Sequence, residues 1–403
     1  MPKLTIFEDA AVGHLKPLVH TRAAFDLRAG IFSFKERIER MLHREADCLV
    51  CRKQVSAVVA ESHPGCLVNP DAKNGSNDSD DRTLFVNGRW IPERGDFLEM
   101  LRAVAAGDGP DQDVAWISDG AVVAAWGDVE AADRRDAGAA RLVSRLWHLI
   151  TDPGPQISRD AVFFEEEVKR PAQCPDLTMV HEEQIRLHPS AEFGAGVILN
   201  ASAGPVVIES EAIIGDGAIL VGPCHIGSKA RLKMAARVSR SSIGHNSRAG
   251  GEISRSILHA HANKAHDGYL GNSYLGEWCN IGADANTSNL RNDYGTITLY
   301  NEEIGAHEDT GEQFVGLIMG DHSACGINTM FNTGTVVGVC CNVFGAGYQP
   351  RYVKSFSWGS RDRMLRLGFD KALQAATAMM TRRGRSLSQA DKELLAKLSE
   401  ASK

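Results

Sequence analysis

The residues best suited to chemistry lie between Asn263 and Asn289, in the stretch NKAHDGYLGNSYLGEWCNIGADANTSN. Histidine is the one residue type there that accepts a proton from an amine or hydroxyl near neutral pH, so His266 is the candidate general base. Nearby polar side chains could orient a substrate; they are Lys264, Asp267, Tyr269, Asn280 and Asn289. A lone histidine among glycines and asparagines is also typical of a turn or a cap, so the residues alone leave both roles open.

The chain around this stretch carries one aliphatic residue at every sixth position. The series begins with Ile208, Ile214, Leu220, Ile226, Leu232 and Val238. This period predicts a β-helical solenoid, in which each short strand contributes one inward residue and small residues form the corners. The phase slips near Ile243 and returns later, which we interpret as loops that leave the coil. The largest such excursion is expected from Asn292 to His307.

The first 150 residues have a different pattern, with short apolar strands between amphipathic helices. Leu4 to Phe7 is predicted to be a buried strand, and Ser33 is predicted to cap a helix that ends at Leu42. Ala139 to Ile150 is predicted to be a further amphipathic helix, and Asn74 to Asp81 an exposed polar loop. This mixture indicates an α/β domain. The basic loop between the first strand and the first helix suits an oxyanion.

The last 40 residues are predicted to form two helices. The first runs from Phe369 to Arg383, and Ser388 with Asp391 forms a capping box for the second. The second helix carries three leucines, Leu394, Leu395 and Leu398. These are expected to cover the open end of the solenoid or to contact a neighbouring subunit.

Composition limits the classes of function. The chain has 403 residues, enough for two domains, and a net charge of −7, which does not favour binding to nucleic acid or to an anionic membrane. No apolar run approaches the length of a membrane span, and the N-terminus does not read as a signal peptide. Nine scattered cysteines fit reduced thiols. We therefore expect a cytoplasmic protein.

Four residues of the candidate site stand at spacings that are known from one family. Tyr269 follows His266 by three residues, Asn280 follows eleven later, and Asn289 nine after that. This pattern resembles the acetyltransferase site of the bifunctional UDP-N-acetylglucosamine pyrophosphorylase / glucosamine-1-phosphate N-acetyltransferase family. The resemblance implies a left-handed parallel β-helix, assembled as a trimer, that uses acetyl-CoA as co-substrate and no metal for acetyl transfer.

The resemblance also implies a role for each site residue. His266 would deprotonate the amine of glucosamine 1-phosphate, with Glu252 polarising the imidazole. Asn289 and Tyr269 would orient the sugar, while Asn280 would bind the sugar or the thioester. The remaining implied contacts are Ala283 to the acetyl group of acetyl-CoA, and Lys264 and Arg255 to the sugar phosphate. Two alternatives stay open: Lys264 is a surface charge, and His322, next to Asp321, competes as the base.

The N-terminal stretch FEDAAVGHLKPLVHTRAAFDLRAGIFSFKERIE resembles the opening of the divergent sugar nucleotidyltransferase domain that an alternative bacterial branch of this family carries. The G-x-G-T-R phosphate loop is missing, and Ala23 stands where that branch has Pro. The resemblance implies a nucleotide-sugar cleft that contains Asp9, Arg22, Asp26, Arg28, Asn87 and Arg89. Mg²⁺ would matter only if this domain binds or turns over a nucleoside triphosphate.

Four segments are therefore expected. They are a nucleotidyltransferase-like domain (1–156), a linker (157–175), a left-handed β-helix acyltransferase domain (176–360) and a C-terminal helical segment (361–403). The predicted function is N-acetylation of an amino-sugar phosphate, with nucleotidyl transfer as a further activity of the first domain. The alternatives are a nucleotidyltransferase whose β-helix only trimerises the protein, and a non-catalytic nucleotide-sugar-binding scaffold.

Overall fold

The computed structural model describes residues 1–70, 82–167 and 176–402. The predicted polar loop from Asn74 to Asp81 and the later part of the predicted linker lie outside these residues. The chain divides into two units that interleave near the N-terminus. The first unit comprises Met1–Leu15, Thr21–Leu27 and Phe32–Arg145. The second unit comprises Lys16–His20, Arg28–Ile31 and Leu146–Lys403.

A seven-stranded sheet forms the core of the first unit. Leu4, Thr5 and Ile6 are all buried, which is the burial expected of a central parallel strand with both faces covered. Ala121–Trp126 runs antiparallel to both of its neighbours, and the other pairs are parallel. The strand order is Asp133–Asp136, Val114–Ser118, Ala121–Trp126, Thr83–Asn87, Lys3–Phe7, Cys48–Val50 and Leu67–Val68.

Short helices and strands complete the first unit. The predicted cap at Ser33 is confirmed, because its side chain accepts from the Glu36 backbone while the Glu36 carboxylate accepts from the Ser33 backbone. The α-helices are Phe34–Leu42, Ser56–Ser62 and Asp96–Ala106, and the 3-10 helices are Ala10–Leu15 and Ala24–Asp26. The remaining short strands are Phe32–Ser33, Trp90–Ile91 and Arg141–Leu142.

The helix predicted from Ala139 to Ile150 is wrong. Arg141–Leu142 is a strand that pairs with Trp90–Ile91, and Val143 exchanges backbone and side-chain hydrogen bonds with Arg89. Because a distant segment satisfies this backbone, the local i→i+4 bonds of a helix do not form.

The second unit is a parallel β-helix whose coils have three faces. Face 1 contains Thr178–Val180, Ile198–Asn200, Ile219–Val221, Arg237–Ser239, Glu252–Ser254 and Tyr269–Gly271, and Asn286–Thr287 and Met330–Phe331 continue it. Face 2 contains Ile185–Leu187, Val206–Ile208, Cys224–Ile226, Ser242–Ile243, Ile257–Leu258, Tyr274–Leu275, Leu317–Met319, Thr335–Val337 and Tyr352–Val353. Face 3 contains Glu192–Phe193, Ile213–Ile214, Arg231–Leu232, Arg248–Ala249 and Asn263–Lys264, and later Ala324–Cys325, Asn342–Val343, Ser357–Ser360 and Arg363–Arg366.

The coil continues without interruption past Ile243, so the loops predicted there are wrong. The coils shorten instead: pairing joins Ile219 to Arg237, then Glu252, then Tyr269, at offsets of 18, 15 and 17 residues. Gly250 and Gly251 form the shortest corner between face 3 and face 1. A Cβ on Gly250 would lie 2.5 Å from the Ala265 carbonyl oxygen, so this corner requires glycine.

The large excursion predicted near Asn292 is present. It leaves the coil after Asn289 and contains the antiparallel pair Thr298–Asn301 and Ala306–Asp309. Further short elements of the second unit are Arg28–Ala29 (strand), Leu146–Leu149 (3-10), Gly154–Asp160 (α), Ala161–Glu167 (3-10) and Glu182–Gln184 (3-10).

The C-terminal helices, Phe369–Thr381 and Gln389–Ala401, do not cover the open end of the coil. They pack against the corner between face 2 and face 3, where Trp278, Val339 and Phe356 are buried with Leu395. The predicted capping box of Ser388 with Asp391 is confirmed. The predicted fold class is also confirmed: an α/β domain, a left-handed β-helix and short C-terminal helices. Within the described residues, no helix has the length and hydropathy to cross a bilayer.

Candidate active site

His266 is exposed at the corner between face 3 and face 1. Asn263 pairs with Asn280, so successive coils are offset by 17 residues here, and the Asp284 N–H donates to the Asp267 carbonyl at 3.1 Å. This register gives Ala283 the same position as His266, one coil later. Adjacent strands lie about 5 Å apart, so the imidazole and the Ala283 backbone are neighbours on one corner.

Tyr269 and Asn289 form a polar pair beside this corner. The Asn289 amide nitrogen donates to the Tyr269 hydroxyl at 3.2 Å. Burial raises the pKa of the Tyr269 phenol, and the charge of Glu252, its pairing partner on face 1, adds to this shift. The hydroxyl therefore stays protonated at neutral pH and can donate a hydrogen bond.

Glu252 lies on the outer side of face 1 and is exposed. Its carboxylate approaches Arg237 at 3.4 Å, rather than the imidazole of His266 that it was predicted to polarise. Glu252 is thus placed next to Tyr269, on the strand that precedes the Tyr269 strand on face 1.

The structure corrects the prediction for Lys264. This side chain points into the coil and is 0% exposed, with its ammonium hydrogen-bonded to the carbonyl oxygens of Gly250, His266 and Asp267. Burial lowers its pKa to about 8. A buried ammonium held by backbone carbonyls cannot reach a sugar phosphate. Arg255, half-buried at the corner between face 1 and face 2, is close enough to Tyr269 for its charge to act on the phenol.

Asn280 lies on face 3, where its side-chain oxygen accepts from Asn263 at 2.6 Å. The His266 corner separates it from Tyr269. His322 lies at another corner, between face 2 and face 3, where its N–H donates to the Glu277 carbonyl at 2.9 Å. One coil therefore brings together His266, Tyr269 and Asn289, but not Asn280 or His322.

The residues predicted for the nucleotide-sugar cleft do not form one group. Asp9 receives hydrogen bonds from Asn87 at 2.8 Å and from the Arg89 Nε at 2.9 Å, and Arg89 is 1% exposed. Asp26 pairs with His63 at 2.8 Å. The Arg22 carbonyl accepts from Arg52. This part of the predicted cleft is therefore built largely of internal ion pairs.

Arg28 belongs to the second unit, so the structure separates it from the other predicted cleft residues. Its N–H donates to the Tyr274 hydroxyl at 3.0 Å, and the hydroxyl donates back to the Arg28 carbonyl at 3.2 Å. Within the described residues, no three His, Cys, Asp or Glu side chains are grouped to hold a metal ion. With Asp9 bound to Arg89, no step through Mg²⁺ follows.

Two asparagines of the site were missed by the sequence reasoning. Asn263 is the partner of Asn280, and Asn272, fully buried, is a partner of Asn289. Each stands 17 residues before the asparagine it contacts, which is the local coil length. A search for asparagines at that spacing would have found both.

The fold and this corner define a class of transferase in which a sugar nucleotidyltransferase-type α/β domain precedes an acyltransferase-type β-helix. Residues 4–169 match the family model described as sugar nucleotidyl transferase. This match extends past Arg145, the last residue of the first unit.

Two curated relatives carry the name bifunctional protein GlmU. The protein from Methanocaldococcus jannaschii is 33% identical over 90 residues, which are 22% of this chain and 21% of that protein. The protein from Acaryochloris marina is 25% identical over 183 residues, 40% of this chain and 39% of that protein. The chain thus matches about a fifth and two fifths of their lengths. These matches confirm the predicted resemblance to the bifunctional family and the predicted class, a transferase.

Solved structures of acyltransferases are also similar. UDP-N-acetylglucosamine acyltransferase from Francisella novicida is 14% identical, with 56% of this chain and 87% of that chain covered and a TM-score of 0.26. A perosamine N-acetyltransferase mutant from Caulobacter crescentus is 11% identical, with 91% and 98% covered and a TM-score of 0.14. These TM-scores are too low to support an inference about function.

Proposed function

We propose that the protein transfers the acetyl group of acetyl-CoA to the amine of an amino-sugar phosphate, with glucosamine 1-phosphate as the preferred acceptor. His266 takes a proton from the amine, and the freed lone pair attacks the thioester carbonyl. The N–H of Ala283 stabilises the oxyanion that develops there. Collapse of the tetrahedral intermediate forms the amide and releases CoA as the thiolate, which is then protonated.

The observation that carries this proposal is the register of the His266 corner. An exposed imidazole, a backbone N–H at the equivalent position of the next coil, and the Tyr269–Asn289 pair stand within two coils. A base, an oxyanion donor and a polar orienting pair are the groups that acyl transfer to an amine requires. Arg255 is the proposed contact to the sugar phosphate. Glu252 remains a proposed partner of the acceptor through its place beside Tyr269.

A column of basic side chains supports a CoA-type donor. On the outer side of face 3, Arg231 pairs with Arg248, and Arg248 with Asn263, which bonds Asn280. Arg383 adds a further charge: burial, followed by the charges of Arg248 and Arg231, lowers its pKa to about 10. Like charges held this close favour an anion between them, and CoA carries a diphosphate and a 3′-phosphate. Asn280 is then placed toward the donor rather than the sugar.

The test of the proposed function is CoA release from acetyl-CoA with glucosamine 1-phosphate, by wild type and His266→Ala. Loss of a general base should lower kcat by about a hundredfold or more. His181→Ala, which removes another exposed histidine of the second unit, is the matched control and should retain the wild-type rate. Equal rates for wild type and His266→Ala would remove His266 from this role.

We also propose that three copies assemble. Met234 and Ile327 are 75% and 70% exposed on the same column of corners as His266, and Met330 and Tyr348 continue the apolar surface along face 1. An exposed apolar column of this kind is typical of a subunit interface. Light scattering should give three times the chain mass. A monomer mass at micromolar concentration would contradict the assembly.

A second candidate activity, nucleotidyl transfer by the first unit, is favoured by the family match over residues 4–169. The internal pairs of Asp9 and Asp26 leave binding without turnover as the alternative. A nucleoside triphosphate or nucleotide sugar at 100 times its dissociation constant should stabilise the fold by about 2.7 kcal/mol, a measurable rise in Tm. No shift with any of them would exclude both forms of this candidate.

A further inference from the structure

Asn272 is fully buried at the corner between face 1 and face 2, with a φ of 44° that asparagine tolerates better than most residues. Its amide nitrogen lies 3.2 Å from the carbonyl oxygen of Ile150 and 3.2 Å from that of Thr151. Carbonyl oxygens only accept, so the atom that faces them must be the NH₂ group of the amide. The side-chain oxygen of Asn272 therefore faces the other way, toward Asn289.

This orientation determines that of Asn289. An amide oxygen on Asn272 accepts from the Asn289 nitrogen at 2.8 Å, and the same nitrogen donates to the Tyr269 hydroxyl at 3.2 Å. Both amide hydrogens of Asn289 are thus used inside the protein. Its side-chain oxygen has no donor among the described residues and is left as an acceptor. The Tyr269 hydroxyl accepts one hydrogen bond and keeps its own proton to donate.

We propose that Asn272 is a positioning residue that fixes the amide of Asn289, so that the site presents an acceptor at Asn289 and a donor at Tyr269. This inference rests on the proposed function and deepens it. The acceptor substrate must place an N–H or O–H opposite Asn289 and a lone pair opposite Tyr269. An amino sugar satisfies both conditions through its amine and an adjacent hydroxyl.

The position of Asn272 also explains why an amide is needed there. An aspartate would bring a carboxylate against the Ile150 and Thr151 carbonyls, which repel it, and an alanine would leave both carbonyls and Asn289 without their partner. In either case the Asn289 amide is free to rotate by 180° and to present its NH₂ to the substrate. The site would then offer two donors instead of a donor and an acceptor.

The test compares Asn272→Ala, Asn289→Ala and the double variant, assayed for CoA release with glucosamine 1-phosphate. Asn272→Ala should lower kcat/KM for the sugar by about tenfold, which is about 1.4 kcal/mol, and leave KM for acetyl-CoA unchanged. If Asn272 acts through Asn289, the double variant should be no slower than Asn289→Ala, because the two effects are not additive.

Ser256→Ala is the matched control for stability. Ser256 is fully buried one coil earlier, near the same corner, where its hydroxyl donates to the Ser254 carbonyl and accepts from the Ser273 N–H. It should lower Tm as Asn272→Ala does but keep the wild-type kcat/KM. Additive effects in the double variant, or an unchanged kcat/KM in Asn272→Ala, would overturn the inference alone. Wild type that neither binds nor acetylates any amino-sugar phosphate would overturn the proposed function, and the inference with it.

Discussion

Lys264 shows how a single residue can mislead a reading by composition. A lysine beside a candidate base resembles a phosphate ligand, yet Lys264 stands six residues after Leu258 and six before Leu270. Both leucines are 0% exposed in the core of the coil. The six-residue period therefore marks position 264 as inward, and this signal was present in the sequence. In the structure the ammonium binds the backbone of the His266 corner from inside.

The burial of Lys264 predicts a pH dependence of stability. Its pKa is about 8 in the folded protein against a model value of 10.5, so between these pH values the unfolded chain binds the extra proton. The free energy of unfolding should then rise with pH across this window, by up to about 1.4 kcal/mol per pH unit from this group. Below pH 8 both states hold the proton and the contribution does not change.

Urea unfolding of wild type and Lys264→Met from pH 7.5 to 10 measures this effect. Buried cysteines such as Cys325, whose pKa is raised to about 11, act in the opposite direction but are present in both proteins. The difference in unfolding free energy, wild type minus variant, should therefore increase between pH 8 and 10. A difference that stays constant with pH would show that Lys264 does not titrate as the structure implies.

At the scale of elements, the aliphatic period was sufficient to predict the solenoid, because inward positions repeat wherever the coil is regular. It was not sufficient to predict coil length. A corner of two glycines, Gly250 and Gly251, closes a 15-residue coil, and the resulting phase slip looks in the sequence like an inserted loop. The contact between the C-terminal helices and the coil was also missed, since nothing local specifies which surface an amphipathic helix meets.

The packing of the last helix predicts a large effect of one leucine. Leu395 is 2% exposed in the cluster that contains Trp278, Val339 and Phe356. Leu395→Ala should lower the free energy of unfolding by about 2–5 kcal/mol. Lys397→Ala, at an exposed position of the same helix, should change it by less than about 0.5 kcal/mol. Chemical denaturation measures both, and equal small effects would show that this helix does not contribute to the core.

For the whole molecule, the sequence indicated two kinds of fold and a transferase, and these statements are confirmed. The predicted cleft of the first unit depended on loop residues whose partners lie far away in sequence: Arg89 with Asp9, and Arg28 with Tyr274. Such pairings depend on tertiary packing, which a single sequence does not reveal. The His266 corner was predictable because its residues repeat at the length of one coil.

The most direct test of the account is the acceptor specificity of acetyl transfer. Wild type should release CoA from acetyl-CoA with glucosamine 1-phosphate and yield one N-acetylated sugar phosphate by mass spectrometry. Glucose 1-phosphate, which has a hydroxyl in place of the amine, should give at least a hundredfold lower rate, because the hydroxyl is a weaker nucleophile for the same base. Comparable rates with both sugars, or no CoA release with any amino-sugar phosphate, would contradict the proposal that this corner acetylates an amine.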